Sequence, residues 1–225
     1  MKLLIIEDEP ELLATTKEYL NAVGYVCESA AKLNSALDKI VQYEYDCVIV
    51  DLGLPDGNGL DVITELKRKT SSTGIIIISA KTSIEDKLQG LENGADDYLT
   101  KPFHLSELNA RIKSVIRRRK FQGNKCINFN EISVNIDTLE VLVNNQAIAL
   151  TKKELYLLIY FLENKEKVVT RESLLDHLWG EYMSSSDTLD FTYTHVSNLR
   201  KKLTQGGAND YIKTVYGIGY KFSER

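Results

Sequence analysis

Scarcity bounds this 225-residue chain before any motif does. It has three cysteines (Cys27, Cys47 and Cys126), an odd number without C-x-x-C spacing. Neither a disulfide framework nor a structural zinc site is expected, and the cysteines read as reduced thiols, two of them within apolar strands. The three histidines (His104, His177 and His195) stand far apart and form no ligand motif. No apolar run approaches the roughly 18 residues that a membrane span needs. The N-terminal MKLLIIEDEP is too short in its apolar part for a signal peptide, and acids follow at once. The chain is therefore expected in the cytoplasm, away from membranes. No charge sign dominates: the net charge of −4 does not announce a nucleic-acid binder. Internal repeats and low-complexity segments are also lacking.

What is there is the composition of a globular protein, 43% hydrophobic and 27% charged. The length suits two domains of about 100 residues each. Charge is spread unevenly in the second half. From Val196 to Arg225 there are six basic residues (Arg200, Lys201, Lys202, Lys213, Lys221, Arg225) against two acidic ones (Asp210, Glu224). Such a local patch is what a phosphate backbone senses.

Up to residue 121 the pattern alternates. Strand-like apolar runs occur at Leu3–Ile6, Tyr25–Cys27, Cys47–Val50, Ile75–Ile78 and Tyr98–Leu99. Segments of helical periodicity separate them. Alternation repeated five times predicts a doubly wound α/β domain: a five-stranded parallel sheet with helices on both faces. The strands are continuously apolar, as strands buried on both faces are. The expected domain runs over 1–119, with a linker over 120–125. The basic run RRRK at its end reads as cations at a helix C-terminus rather than as a DNA contact.

From 126 to 225 the pattern changes. Short strand-like pieces fill Ile127–Leu150, with a hairpin turn at NNQ, 144–146. Three helical stretches follow, over Lys152–Glu163, Arg171–Trp179 and about Leu189–Leu203. Thr151 and Thr170 read as N-caps, and Thr151 with Glu154 has capping-box spacing. The final YIKTVYGIGYKF reads as a hairpin. Sheet, three helices and hairpin predict an α+β winged helix-turn-helix domain.

The stretch DCVIVDLGLPDGNG, 46–59, ends an apolar strand on a carboxylate. In a doubly wound sheet, function collects at the carboxyl ends of the strands. Those ends carry Glu7 and Asp8, then Asp51, then Ser79, then Lys101 followed by Pro102. Each alone has an ordinary explanation: helix-start acids, a turn serine, a solvated lysine. Together, three acids at one edge repel each other and require a cation. All the ligands are hard oxygens, so the expected ion is Mg²⁺. A carboxylate beside Mg²⁺ and a lysine can act as a nucleophile toward a phosphoryl group. Asp51 is the expected nucleophile.

These residues carry a family resemblance. IEDEP, VDLGLPDGNGLD, ISA and GADDYLTKPF resemble the receiver domain of bacterial two-component response regulators, a flavodoxin-like fold. TKKELYLLIYFLENK, VVTRESLLDHLW, HVSNLRKKL and TVYGIGYKF resemble the OmpR/PhoB effector domain. The resemblance covers about residues 2–222. It implies that Asp51 accepts a phosphoryl group from a phosphohistidine on a sensor histidine kinase. It implies that Glu7, Asp8, Asp51 and the carbonyl of Gly53 organise Mg²⁺. Lys101 would pair with the phosphoryl group and precede a cis bond to Pro102. Ser79 would bond a phosphoryl oxygen, and Tyr98 would turn inward as the switch. The protein would be a phosphoacceptor aiding its own phosphotransfer and dephosphorylation, not an enzyme with a separate substrate.

The resemblance also implies a homodimer, formed on phosphorylation through the fourth helix, fifth strand and fifth helix. Lys87, Leu88, Leu91, Glu92, Asp96, Asp97, Glu107, Ala110, Arg111 and Arg118 lie there. Glu107 and Arg111 are also spaced to pair within one helix. The last helix is amphipathic. Leu189, Val196, Leu199 and Leu203 share one face, and Thr194, Asn198 and Lys201 lie opposite, flanked by His195, Ser197 and Lys202. With Arg200 and the hairpin residues Lys213, Thr214 and Tyr216, this set is expected to face double-stranded DNA. Tyr216 stands where the family's wing usually carries an arginine. The loop over 180–188 has an implied contact with RNA polymerase.

Rival readings fare worse. A haloacid-dehalogenase-type phosphatase needs a second aspartate two residues after the first, where this chain has Gly53. A flavodoxin-like electron carrier needs a phosphate cradle where this chain has EDEPE. A winged-helix regulator that works without phosphorylation, its receiver-like domain serving only to dimerise, is the alternative.

Overall fold

The computed structural model describes residues 1–69, 72–179 and 188–224. The chain divides into two compact units, Met1–Gly123 and Asn124–Arg225. Of the loop over 180–188, to which the resemblance assigns a polymerase contact, residues 180–187 lie outside the described residues.

The first unit alternates β1 (Lys2–Ile6), α1 (Pro10–Ala22), β2 (Val26–Ala30), α2 (Leu33–Gln42) and β3 (Cys47–Asp51). A tiny hairpin follows, β4 (Gly53–Leu54) with β5 (Gly57–Asn58). Then come α3 (Leu60–Arg68), β6 (Gly74–Ser79), α4 (Ile84–Glu92), β7 (Asp97–Thr100) and α5 (Leu105–Phe121). The main sheet has the order β2-β1-β3-β6-β7, and its pairings are parallel. Leu4, Ile6, Val48, Val50, Ile75 and Ile77 pack on one face with Leu33, Ala36 and Ile40 of α2 and Val62, Ile63 and Leu66 of α3. The alternate residues Leu3, Ile5, Ile49 and Ile76 are equally buried and turn to the other face. There α5 supplies Leu108, Ile112, Val115 and Ile116. The strands had to be apolar throughout because neither face meets water.

At the sheet's other end lies a polar cluster. Lys2 is fully buried and pairs with Glu28 at 2.9 Å, and Tyr45 donates to the same carboxylate at 2.5 Å. Buried charge is retained only when matched in this way.

The second unit opens with a four-stranded antiparallel sheet, β8 (Cys126–Phe129), β9 (Ile132–Asn135), β10 (Val141–Val143) and β11 (Gln146–Ile148). Asn144 and Asn145 turn the last hairpin with φ of 51° and 63°, a conformation asparagine tolerates. Next come α6 (Lys152–Glu163), β12 (Val168–Thr170), α7 (Arg171–Trp179) and α8 (Thr188–Gln205). A wing of β13 (Ile212–Val215) and β14 (Gly219–Phe222) closes the unit, with β14 also pairing β12. The capping box at Thr151 and Glu154 is formed in both directions. Leu157, Leu158 and Phe161 of α6 and Val196, Leu199 and Leu203 of α8 are buried together with Phe222 of the wing. This is the winged helix-turn-helix arrangement. Among the described residues no helix is long and apolar enough to cross a membrane.

Candidate functional site

The strand ends of the first unit bring together the residues that sequence reasoning selected there. Glu7 follows β1 and is buried, whereas Asp8 beside it is exposed. Asp51 is the last residue of β3 and Ser79 the last of β6. Lys101 comes directly after β7, and its bond to Pro102 is cis. One carboxylate oxygen from each of Glu7, Asp8 and Asp51 lies within 4.8 Å of the others. The Lys101 ammonium stands 2.5 Å from Oδ2 of Asp51 and donates to Oε1 of Glu7 at 2.8 Å.

The second oxygen of Glu7 is informative. Oε2 is buried and accepts no hydrogen bond, although Nζ of Lys101 lies 2.7 Å away. Burial pushes the Glu7 carboxyl above its usual range. The hydrogen bond and charge of Lys101 pull it back in part, and the charge of Asp51 adds to the push. Burial pulls the Lys101 amine down, but its bonds to Asp51 and Glu7 outweigh this and leave it raised. Three hard carboxylates meet at this edge, only two of them reach the lysine, and one buried oxygen accepts no hydrogen bond. That donor set fits a small divalent cation such as Mg²⁺.

The loop after β3 is closely fitted. The N–H of Gly53 donates to Oδ1 of Asp51 at 3.0 Å. A Cβ on Gly59 would stand 2.1 Å from the backbone oxygen of Asp51, so only glycine allows this approach. Asp56 at the hairpin tip accepts from the N–H groups of Leu33 and Asn34, at 2.6 and 3.1 Å. Sequence reasoning passed over Asp56 because its partners lie more than twenty residues away. Ser79 Oγ accepts from the N–H of Lys81 at 3.2 Å, and its carbonyl accepts from the N–H of Lys101 at 2.8 Å. Tyr98 is half-buried, and its hydroxyl donates to the carbonyl of Lys81 at 3.1 Å. Its ring lies along α4. A Cβ on Gly90 would stand 3.2 Å from Tyr98 Cδ2 and 2.7 Å from Ile77 Cδ1.

The face formed by α4, β7 and α5 combines exposed apolar residues with charges paired inside the chain. Ile84, Leu88 and Leu91 are exposed, at 71%, 53% and 42%. Glu92, Glu107, Ala110 and Arg118 are exposed as well, and Lys87 is half-buried. Arg111 bonds Asp97 at 2.9 Å and Glu107 at 2.8 Å. Asp96 pairs with Arg119 at 2.6 Å, and its carbonyl accepts from Arg118 at 3.2 Å.

In the second unit, Thr194, Ser197, Asn198 and Lys201 lie exposed on α8, and His195 is half-buried. Burial lowers the His195 imidazole below its usual range, the charge of Lys153 adds to this, and that of Glu154 opposes it. Arg200 and Lys202 are engaged within the domain. Arg200 donates to the carbonyl of Ile212 and pairs with Asp210 at 3.3 Å. Lys202 bonds Glu154 at 2.7 Å. On the wing, Thr214 is exposed, Lys213 donates to the carbonyl of Asp210 at 2.5 Å, and Tyr216 is 92% exposed. Tyr193, 67% exposed, shares α8 with these residues.

A parallel sheet whose carboxyl edge gathers acids around one lysine, carried on the same chain as a winged helix, defines a two-component response regulator. The response regulator receiver domain model matches residues 3–113. The model for the transcriptional regulatory protein C terminal matches residues 145–222. The chain is 39% identical over 219 residues to response regulator ArlR of Staphylococcus aureus strain Mu50, covering 97% of this chain and 98% of that protein. It is 38% identical over 218 residues to ArlR of Staphylococcus haemolyticus, covering 97% of each. The solved receiver domain of the Francisella response regulator 1452 is 33% identical, with a TM-score of 0.51. That match covers 53% of this chain and 98% of that one. The chain belongs to the OmpR/PhoB family of response regulators, DNA-binding transcription regulators of two-component systems.

Proposed function

We propose that this regulator is switched by phosphorylation of Asp51. The observation that carries the proposal is the position of Lys101, held between Glu7 and Asp51 at the edge of the sheet. An oxygen of Asp51 attacks the phosphorus of a kinase phosphohistidine. The O–P bond forms as the P–N bond breaks, and imidazole leaves. Lys101 then turns its ammonium from Asp51 Oδ2 to a phosphoryl oxygen. Mg²⁺ held by Glu7, Asp8, Asp51 and the carbonyl of Gly53 would neutralise the phosphoryl oxygens. Ser79 donates its hydroxyl to the phosphoryl group, and Tyr98 gives up its bond to Lys81 and turns inward.

The switched state forms a homodimer through α4, β7 and α5, in which the exposed Leu88 and Leu91 meet their counterparts. The receiver spans 1–119, the linker 120–125 and the effector 126–225. The effector reads promoter DNA in the major groove with Thr194, His195, Ser197, Asn198 and Lys201, and places its wing, with Lys213, Thr214 and Tyr216, on the neighbouring backbone. Arg200 acts by fixing the wing to α8.

The test is intact mass after incubation with Mg²⁺ and acetyl phosphate, beside Asp51→Asn. The expected result is one added phosphoryl group on the wild type alone. A folded wild-type protein that gains none from this donor or from a phosphorylated histidine kinase would sink the reading and leave the receiver as a dimerisation scaffold.

A further inference from the structure

We infer that Asp56 is a positioning residue for the cation site, acting through helix α2. The inference rests on the phosphoacceptor reading of Asp51 and goes beyond it by assigning a residue that touches none of the reacting groups. Helix α2 begins at Leu33, and its own N-cap residue, Lys32, makes no side-chain cap bond. The missing acceptor comes from a distant loop. Both carboxylate oxygens of Asp56 are used, one for the N–H of Leu33 at 2.6 Å and one for that of Asn34 at 3.1 Å. The charge sits at the positive end of the helix. These backbone bonds, with the charge of Lys32, hold the Asp56 carboxyl below its usual range against the opposing pull of desolvation.

The hairpin that carries Asp56 also carries Gly53, whose carbonyl is the fourth cation ligand on the proposed reading. Gly53 and Leu54 pair with Asn58 and Gly57. The base of the hairpin is tied where the N–H of Gly59 donates to the carbonyl of Leu52 at 3.2 Å. Its tip is held by Asp56 and by contact, since a Cβ on Gly57 would lie 2.4 Å from Cδ2 of Leu33. Helix α2 is itself seated in the core through Leu33, Ala36 and Ile40. The Gly53 carbonyl is therefore referenced to the sheet by two routes: directly through β3, and around through Asp56 and α2. A ligand on a two-residue strand has few contacts of its own, so its position depends on such outer bonds.

The experiment separates positioning from capping. Full-length protein without phosphodonor is titrated with Mn²⁺ alone, and free ion is counted by electron paramagnetic resonance. Competition by Mg²⁺ gives the Mg²⁺ affinity. Asp56→Ala is expected to weaken binding about tenfold, the lower end for lost outer-shell bonds, and to lower the melting temperature. The double variant Asp56→Ala/Lys32→Ser gives α2 a local cap without restoring the link to the hairpin. It is expected to regain thermal stability while its Mn²⁺ affinity stays weak. Affinity that returns together with stability, or that never changes in Asp56→Ala, would overturn the inference. A wild-type protein that binds neither ion would instead sink the cation site itself.

Discussion

Lys101 Nζ stands 2.5 Å from Oδ2 of Asp51 and 2.8 Å from Oε1 of Glu7, so one cation is shared by two carboxylates fifty and ninety-four residues away. Its raised amine, already above 10.5, stays charged throughout the physiological range. Replacing it removes the charge that meets the transferring group on the proposed reading. Lys101→Ala is expected to slow acetyl phosphate-driven modification of Asp51 by roughly 100-fold, the scale of losing one preorganised electrostatic contact. Rates from intact mass at saturating Mg²⁺ check this. An unchanged rate would remove Lys101 from the mechanism.

Glu7 makes stability depend on pH. Its folded carboxyl is raised above 4.5, so the folded state holds its proton more tightly than the unfolded chain does. Stability from this group is then greatest below 4.5 and falls as pH rises through the folded value. Glu7→Gln mimics the protonated form. In EDTA at pH 7.5 the variant is expected to melt at a higher temperature than wild type, and at pH 4 the gain is expected to vanish. Circular dichroism melts at both pH values decide it.

The apolar patch on α4 should report on self-association. Leu88 is half exposed beside Leu91 and Ile84. Leu88→Glu places charge at the centre of the proposed contact. With beryllofluoride and Mg²⁺, sedimentation velocity is expected to show a dimer for wild type and a monomer for the variant at the same concentration. A variant that still dimerises would move the interface elsewhere.

Two residues on α8 should separate base reading from phosphate contact. Against a duplex selected from a random pool, Asn198→Ala is expected to lose about 1–3 kcal/mol and relax preference at one base pair. Lys201→Ala is expected to weaken binding across sequences and reduce the salt slope by about 1. Fluorescence anisotropy across a salt series distinguishes them.

The parts of this molecule legible in sequence are those governed by short-range rules. Continuous apolar runs gave buried parallel strands, and Thr151 with Glu154 gave a cap that forms as spaced. The acids at 7, 8 and 51 share an edge because strand order follows from βαβ connectivity. What stayed hidden depends on pairs distant in sequence. Lys2, whose type gives no hint of burial, is fully buried against Glu28. Arg200 reads as a DNA-facing cation, yet it bonds Asp210 and the carbonyl of Ile212. Asp56, which no local spacing singles out, caps α2 from more than twenty residues away.

Gly90 has a consequence of another kind. A glycine inside a helix loosens it by roughly 0.5–1 kcal/mol relative to alanine. Here it also leaves α4 smooth where it faces Tyr98 and Ile77. Toothed surfaces lock in register because ridges must climb out of grooves to move. A bare stretch of backbone against an aromatic ring is a bearing instead, a surface suited to the turn proposed for Tyr98.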